Sequence, residues 1–439
     1  MDPLAENITA ILRREIPRGA TIVVGLSGGI DSVVLLHVLI RRLRLAPARV
    51  AAIHVNHQIS PDAERWAVFC RRWCRELGVK LRVAKVDVPR GNSTEAAART
   101  ARYAVFAASE ADVLVLAHNR DDQAETVLLQ MLRGAGPRGL SAMPVSKPGG
   151  SGMPLVLRPL LETPRTTIEA YAARHGLQWV EDESNKDRAY LRNFMRHDVL
   201  PLLESRLPGV RSTLARVARH QAECSALLDV LAADDLGSQK HAGRLPLALL
   251  QGMTPARARN ALRYFLRCNG VAMPEAERLD ELLRQATTAR SDARVCVDLG
   301  GVELRRFQDV LYIVRPLPRL TKSFEVAWSG RGTLPLPQLG GSLRLVRRKG
   351  EGIAAAALQS ASLLVRIRQG GEMLRPVPAG RRRTVRNLLQ EAALPPWLRE
   401  RLPFLYVDGE LAAVPGAGID AQFQAGAAES GLLPVWLPD

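Results

Sequence analysis

What this 439-residue chain lacks narrows it first. Its five cysteines, at 70, 74, 224, 268 and 296, are odd in number and scattered, so they lay out no disulfide framework. No Cys-x-x-Cys pair occurs, which argues against an iron–sulfur or sulfur-transfer enzyme, and no Cys/His set has zinc spacing. Cys70 and Cys74 fall on a helix beside Trp73, where core packing is their expected fate. No apolar run approaches the length of a membrane span. The N-terminal MDPLAENITA has no basic-then-apolar order of a signal peptide. A reducing, cytoplasmic setting without a membrane partner is expected. Aromatic residues are few, at 5%, and acids are short: 44 Asp+Glu against 61 Lys+Arg leave a net charge of +17. That excess is large for a metabolic enzyme and suits a polyanion, with nucleic acid favoured. Apolar residues at 47% are ample for the cores of two or three domains.

Met1–Gly19 reads as a short leading helix. Thr21–Leu26, Arg49–His57, Val79–Val88 and Asp112–Ala117 read as strands, separated by helices over Asp62–Leu77 and Asn92–Glu110. A further helix runs from about Asp121 to Arg133. Strands alternating with helices predict a parallel sheet covered on both faces, with ligands at the C-terminal strand ends. Gly134–Gly152, rich in glycine and proline, reads as a mobile loop. A long helix over Val210–Ala233 closes the first domain. Helices then predict a middle domain to about Val314, with Thr254-Pro255 opening one helix and Gly270 closing it. Pro316–Ser342 marks a linker region. The remainder reads as a small α+β domain, with a helix near Thr384–Ala393 and a hairpin of Phe404–Val407 and Leu411–Val414 about Asp408-Gly409. Internal repeats are absent.

The chain is organised around Thr21–His37, TIVVGLSGGIDSVVLLH. A β-branched strand turns through Gly28 and Gly29 into an apolar helix, which brings backbone N–H groups and the positive helix end to one point. Ser27 and Ser32 add hydroxyl donors. Asp31 is out of place beside a phosphate unless a cation sits between them, which suggests Mg²⁺. A plain strand–turn–helix with Asp31 as a cap is the bland alternative. The loop has neither a Walker lysine nor Gly-x-Gly-x-x-Gly. The string Ser27-Gly28-Gly29-Ile30-Asp31-Ser32 resembles the pyrophosphate-binding (PP) loop of the N-type ATP pyrophosphatases, which cut ATP between the α and β phosphates.

A second string runs from His118 through Asn119, Arg120, Asp121, Asp122 and Gln123 to Glu125. Asp122 and Glu125, three apart, share one helix face. Acids in a first turn also complement the helix dipole. Beside an ATP loop they suit Mg²⁺ or an amine substrate whose proton must be removed. Arg99 and Arg102 lie on one side of a helix, either as solvated charge or as partners of phosphate. His54 and His57, at a strand end, are expected to line the nucleotide.

Together these strings resemble the bacterial tRNA(Ile)-lysidine synthetases. The matching stretches are 27–32, His54-Val55-Asn56-His57, 95–103, 118–143, Glu181-Asp182-Glu183-Ser184-Asn185 and Arg192-Asn193-Phe194-Met195-Arg196, with Pro395–Arg399 near the C-terminus. The middle of the chain matches least. Gln58-Ile59-Ser60 departs from the usual Gly-Leu, and Arg381–Arg386 places arginines where relatives often have lysines. The resemblance implies an α/β fold: a Rossmann-like parallel-sheet PP-loop domain, a helical middle domain and a small α+β C-terminal domain. The expected boundaries are 1–215, 216–315, a linker at 316–345, and 346–439.

The implied activity is ATP-dependent ligation of free lysine onto C2 of the wobble cytidine in a tRNA(Ile) with a CAU anticodon, through an adenylated intermediate. ATP and Mg²⁺ are the implied cofactors. Ser27, Gly28, Gly29, Ile30, Asp31, Ser32 and His54 are expected at the nucleotide, and Asp31 and Asp121 at the metal. Asp31, Arg99, His118, Asp122, Glu125 and Arg192 are expected in catalysis, with Asp122 and Glu125 on the lysine amine. Assembly as a homodimer is left open. The rivals are a tRNA thiolation enzyme and an RNA-binding protein with a relict loop.

Overall fold

The computed structural model describes residues 2–42, 49–89, 94–150, 152–183, 187–241, 243–289, 295–317, 320 and 324–438. Ser184-Asn185, the end of the acidic string, thus lies outside the described residues. Two compact units divide the chain, Met1–Val230 and Leu231–Asp439.

The first unit opens with α1 (Pro3–Glu15), capped by Asp2, whose carboxylate accepts from the Leu4 N–H at 3.0 Å. β1 (Ile22–Gly25), α2 (Ile30–His37), β2 (Val50–Asn56), α3 (Ala63–Leu77), β3 (Lys80–Lys85), α4 (Thr94–Ala107) and β4 (Val113–Val115) then alternate. α5 (Arg120–Leu132), α6 (Pro137–Leu140), β5 (Ser146–Lys147), β6 (Leu155–Leu157) and α7 (Arg165–Arg174) follow. The sheet order is β3-β2-β1-β4-β6-β5, parallel except at β5. This is the expected Rossmann-like sheet. The β-branched run Ile22–Val24 is buried at its centre, Ile22 pairing with Val50 on one side and Val113 on the other. Succession runs outward from β1 through β2 to β3, while β4 lies on its other side. The C-terminal ends of β1 and β4 therefore form a switch point, where such sheets bind ligands. The stretch 134–152, expected to be a loop, holds α6 and the edge strand β5. α8 (Leu191–Phe194), a π-helical turn (Met195–Val199) and α9 (Leu200–Arg206) lead to α10 (Val210–Leu236). That helix passes through the boundary expected at 215.

In the second unit, β7 (Arg244–Pro246), α11 (Leu247–Gln251), α12 (Pro255–Cys268) and α13 (Ala276–Thr288) precede β8 (Cys296–Asp298), β9 (Glu303–Phe307) and β10 (Val310–Val314). The expected helices are present, with Leu279 and Leu282 buried. They are joined by an antiparallel sheet, β7-β10-β9-β8, that periodicity did not reveal. β9 reads as polar because one of its inward residues is Arg306. Its guanidinium donates to the carbonyls of Ala286 at 3.0 Å and Ala289 at 2.6 Å.

β11 (Glu325–Trp328), β12 (Thr333–Leu336), β13 (Gly341–Lys349), β14 (Ile353–Ala354), β15 (Leu363–Arg366), β16 (Met373–Leu374), β17 (Arg383–Thr384), α14 (Val385–Glu391) and α15 (Pro396–Arg399) come next. β18 (Phe404–Val407), β19 (Glu410–Val414), β20 (Gly418–Ile419) and β21 (Ser430–Pro438) end the chain. Three antiparallel sheets result, β11-β15-β18-β19-β20, β12-β13-β21-β14 and the two-stranded β16-β17. The linker expected at 316–345 is corrected: it carries β11, β12 and the start of β13. Pro335 is tolerated because β12 is an edge strand. At Gly341 a Cβ would collide with the Leu437 carbonyl of β21. The β18–β19 turn has φ of 48° at Asp408 and 85° at Gly409, the left-handed pair that a two-residue hairpin loop needs. Among the described residues no helix is long and apolar enough to cross a membrane.

Candidate active site

The loop after β1 is held by its own serines. Ser27 Oγ accepts from the Gly29 N–H at 3.2 Å and lies 3.1 Å from Ser32 Oγ. Ser32 Oγ accepts from the Gly28 N–H at 3.2 Å and donates to the Gly29 carbonyl at 2.9 Å. Gly28 has φ of +89°, and a Cβ there would meet Val180 Cγ2 at 2.8 Å. No larger residue fits. Gly29 caps α2 without a side-chain hydrogen bond, so the helix end offers its N–H groups to a ligand. Ile30 is buried, and only its backbone can serve that ligand.

Asp31, in the first turn of α2, accepts from Arg165 Nη1 at 2.6 Å and from Asn119 Nδ2 at 3.1 Å. Burial pushes its carboxyl up to about 6, against the opposing pull of the Arg165 charge. Asn119 also caps α5, its Oδ1 accepting from the N–H groups of Asp121 at 2.9 Å and Asp122 at 3.1 Å. Asp122 Oδ2 completes the box by accepting from the Asn119 N–H at 2.9 Å. Asn119 and Asp122 thus close the start of α5, which leaves Asp122 Oδ1 and the Glu125 carboxylate to account for.

Those oxygens face arginines. Arg192 Nε donates to Glu125 Oε2 at 2.9 Å, and Arg196 donates to both Glu125 oxygens, at 2.6 and 3.0 Å. Asp122 Oδ1 takes Arg196 Nη2 at 2.9 Å and Arg192 Nη2 at 3.2 Å. Glu125 is fully buried. Burial alone would raise the Asp122 carboxyl, but the Arg192 and Arg196 charges outweigh it and hold it below its ordinary range. The π-helical turn at Met195 begins between the two arginines. Nearby, His118 is half-buried, and desolvation drives its pKa down to about 3, so the ring is neutral at physiological pH. Its Nδ1 has no hydrogen-bond partner among the described residues. Buried His54 donates from Nδ1 to the Leu26 carbonyl at 2.9 Å, and burial lowers its pKa too.

Arg99 is exposed on α4, its guanidinium 5.0 Å from the Tyr103 ring centre. Arg158, buried, reaches the same Tyr103 hydroxyl at 3.5 Å. Asp121 is committed to Arg211 Nη1 at 2.8 Å and the Arg165 N–H at 3.3 Å. Asp31, His118, Asp122, Glu125 and Arg192 thus converge as expected, whereas Arg99 lies at the margin. Arg158 and Arg165 had no place in the sequence reading, whereas Asn119 and Arg196 stood in its motifs without an assigned role. The i,i+4 spacing of Arg192 and Arg196 was a usable signal; nothing local marks Arg165.

Among the described residues no group of three or more His, Cys, Asp or Glu could hold a metal ion alone. Mg²⁺ usually takes one or two carboxylates and completes its shell with substrate phosphates and water. Asp31, half-sunk beside the loop and costly to ionise there, fits that mode. Both oxygens of Asp31 and both of Asp121 carry a donor in this arrangement, so either acid takes that mode only once its arginine partner leaves.

A parallel sheet whose first strand ends in this serine–glycine loop at the switch point defines a PP-loop ATP-binding protein. Residues 2–203 match the family model described as PP-loop domain, 245–312 the TilS substrate binding domain, and 363–436 the TilS substrate C-terminal domain. The tRNA(Ile)-lysidine synthase of Nitrosomonas europaea is 41% identical over 431 residues, covering 97% of this chain and 94% of that protein. That of Chromobacterium violaceum is 43% identical over 420 residues, covering 94% and 95%. Among solved structures, the U34-tRNA thiolase NcsA of Methanococcus maripaludis aligns at 19% identity with a TM-score of 0.43, over 50% of this chain and 78% of its own. The chain belongs to the tRNA(Ile)-lysidine synthase family. It is an ATP-dependent, tRNA-modifying ligase.

Proposed function

We propose that the chain joins free lysine to C2 of the wobble cytidine in a tRNA(Ile) with a CAU anticodon, in two steps. The C2 oxygen first attacks the α-phosphate of ATP and pyrophosphate leaves. The lysine ε-amine then attacks C2, AMP leaves, and an amine proton passes to a base. Ser27 to Ser32 cradle the phosphates, and Asp31 holds Mg²⁺ with them, where the ion supplies charge neutralisation. Arg165, now on Asp31, is free to move to the pyrophosphate. His54 lines the nucleotide, and Arg99 and Arg158 add positive charge.

The observation that carries this reading is the quartet of buried Glu125, half-buried Asp122 and the partly exposed Arg192 and Arg196 that cover them. An ammonium group reaching those acids displaces a guanidinium, and the freed arginine can take the lysine carboxylate. The amine loses its proton to the same acids, beside a neutral His118 that adds no competing charge. The five thiols are free, which accords with a cytoplasmic setting.

The test is to incubate the protein with ATP, labelled lysine and a tRNA(Ile) transcript. Label should enter the CAU transcript and not one with a wobble uridine, with AMP and pyrophosphate as co-products. Release of ADP would overturn the reading. Glu125→Gln should raise the lysine requirement or abolish transfer while adenylation persists; Asp31→Ala should abolish both.

A further inference from the structure

We propose that the groove between α3 and residues 177–181 seats an unpaired anticodon-loop nucleobase adjacent to the one that reacts. This rests on the tRNA reading above. The groove encloses about 710 Å³ and is lined by Arg65, Val68, Phe69 and Arg72 of α3, with Trp179 and Glu181 from the other segment. Val68 is 60% exposed and Trp179 37%, an apolar surface left in water between cations.

The charges there are only loosely committed. The Arg72 guanidinium lies 5.5 Å from the Phe69 ring centre and donates from Nη2 to Gln178 Oε1 at 3.3 Å. Its Nε is 3.9 Å from Glu76, and Arg65 Nη1 is 3.8 Å from Asp62. Exposed pairs of that length contribute little, so a phosphate can replace them. Aromatic faces beside arginines are how unpaired bases are held, by stacking, with the backbone neutralised alongside. Glu181 repels phosphate but accepts from an exocyclic amine, which orients the base toward it and the backbone toward the arginines.

Position selects the occupant. The Val180 N–H donates to the Gly28 carbonyl at 3.0 Å, and the Val180 side chain packs where a Cβ on Gly28 would stand. Phe69 reaches the same spot, at 3.6 Å. The groove wall is therefore the outer wall of the loop that binds the phosphates. A nucleotide seated there lies beside the base that receives the α-phosphate.

The test uses the full chain and the lysine-incorporation assay. Trp179→Ala should raise the KM for tRNA about tenfold, the loss of one stacked base, and Trp179→Phe should restore most of it. KM for ATP should stay within twofold of wild type. Arg72→Ala should lower the salt slope of tRNA affinity by about one. Unfolding midpoints equal to wild type make the comparison valid; should Trp179→Ala fail to fold, Arg65→Ala/Arg72→Ala, at exposed positions, carries the same test. An unchanged tRNA KM, or an ATP KM that rises in step, would overturn the proposal. A wild-type protein that labels no tRNA would instead overturn the functional reading.

Discussion

Arginine does opposite work in the two units. In the first, burial opposes the Arg196 charge, yet Glu125 and Asp122 more than offset it and hold that guanidinium more firmly protonated than usual. In the second, Arg399 is pushed down by burial and by the like charges of Arg368 and Arg386. One region has matched its cations to buried acids; the other has gathered cations that repel one another. Buried pairing is a requirement, because an ion left alone in that interior is expensive. Surface crowding is cheap in water and is useful when a polyanion arrives to relieve it.

The sharpest way to break that contrast is to remove one arginine from buried Glu125. Arg196→Ala leaves buried Glu125 with Arg192 as its only guanidinium partner, so the loss should fall short of the roughly 3–5 kcal/mol that a wholly uncompensated buried charge costs. Urea unfolding should show that loss, and Arg196→Ala/Glu125→Gln should recover part of it. A single variant as stable as wild type would mean that water reaches Glu125, and that the quartet is not dry.

The quartet was half legible in the sequence. Asp122 and Glu125 announce themselves by lying three apart after a strand, and the strand–loop–helix at 21–37 does so by its Ser-Gly-Gly-x-Asp-Ser string. Arg192 and Arg196 come from a segment some 70 residues away, and only the fold shows that both reach the same carboxylates. Arg165 is less legible still, since its partner Asp31 lies 134 residues before it. The same limit governs the fold. β1, β2 and β4 are largely apolar runs buried inside the sheet, so composition reveals them, whereas the edge strand β3 is read from its alternation. β9 hides an inward Arg306, and β12 carries a proline that an edge strand accommodates, so each reads as something other than a strand.

A smaller effect sharpens the contrast through pH. Burial holds the His118 ring at a pKa of about 3, below its ordinary 6.5, so the unfolded chain binds its proton more readily than the folded one. The stability this contributes is fully present above pH 6.5 and is lost as pH falls toward 3. His118→Gln should therefore flatten the decline in unfolding free energy between pH 6.5 and 4, with little change at pH 8. Parallel curves for the two proteins would show that the imidazole is not desolvated in solution.

The smallest effect on stability should come from the exposed arginines ahead of α14. Arg383 pairs with Glu391, also exposed, and Arg381 and Arg382 stand on the surface close by. Positive charge at a helix start opposes the dipole, so helix stability gives no reason for it. An exposed pair is screened by water and contributes little, so Arg381→Ala/Arg382→Ala/Arg383→Ala should leave the unfolding free energy close to wild type. Affinity for tRNA should respond quite differently. A phosphate that no arginine neutralises keeps its counterion, so binding should weaken and its salt slope fall by about one for each such phosphate. ATP affinity should stay near wild type. If the slope and the tRNA affinity are both unchanged, these arginines are surface charge only, and the contrast with the quartet around Glu125 reduces to solvation.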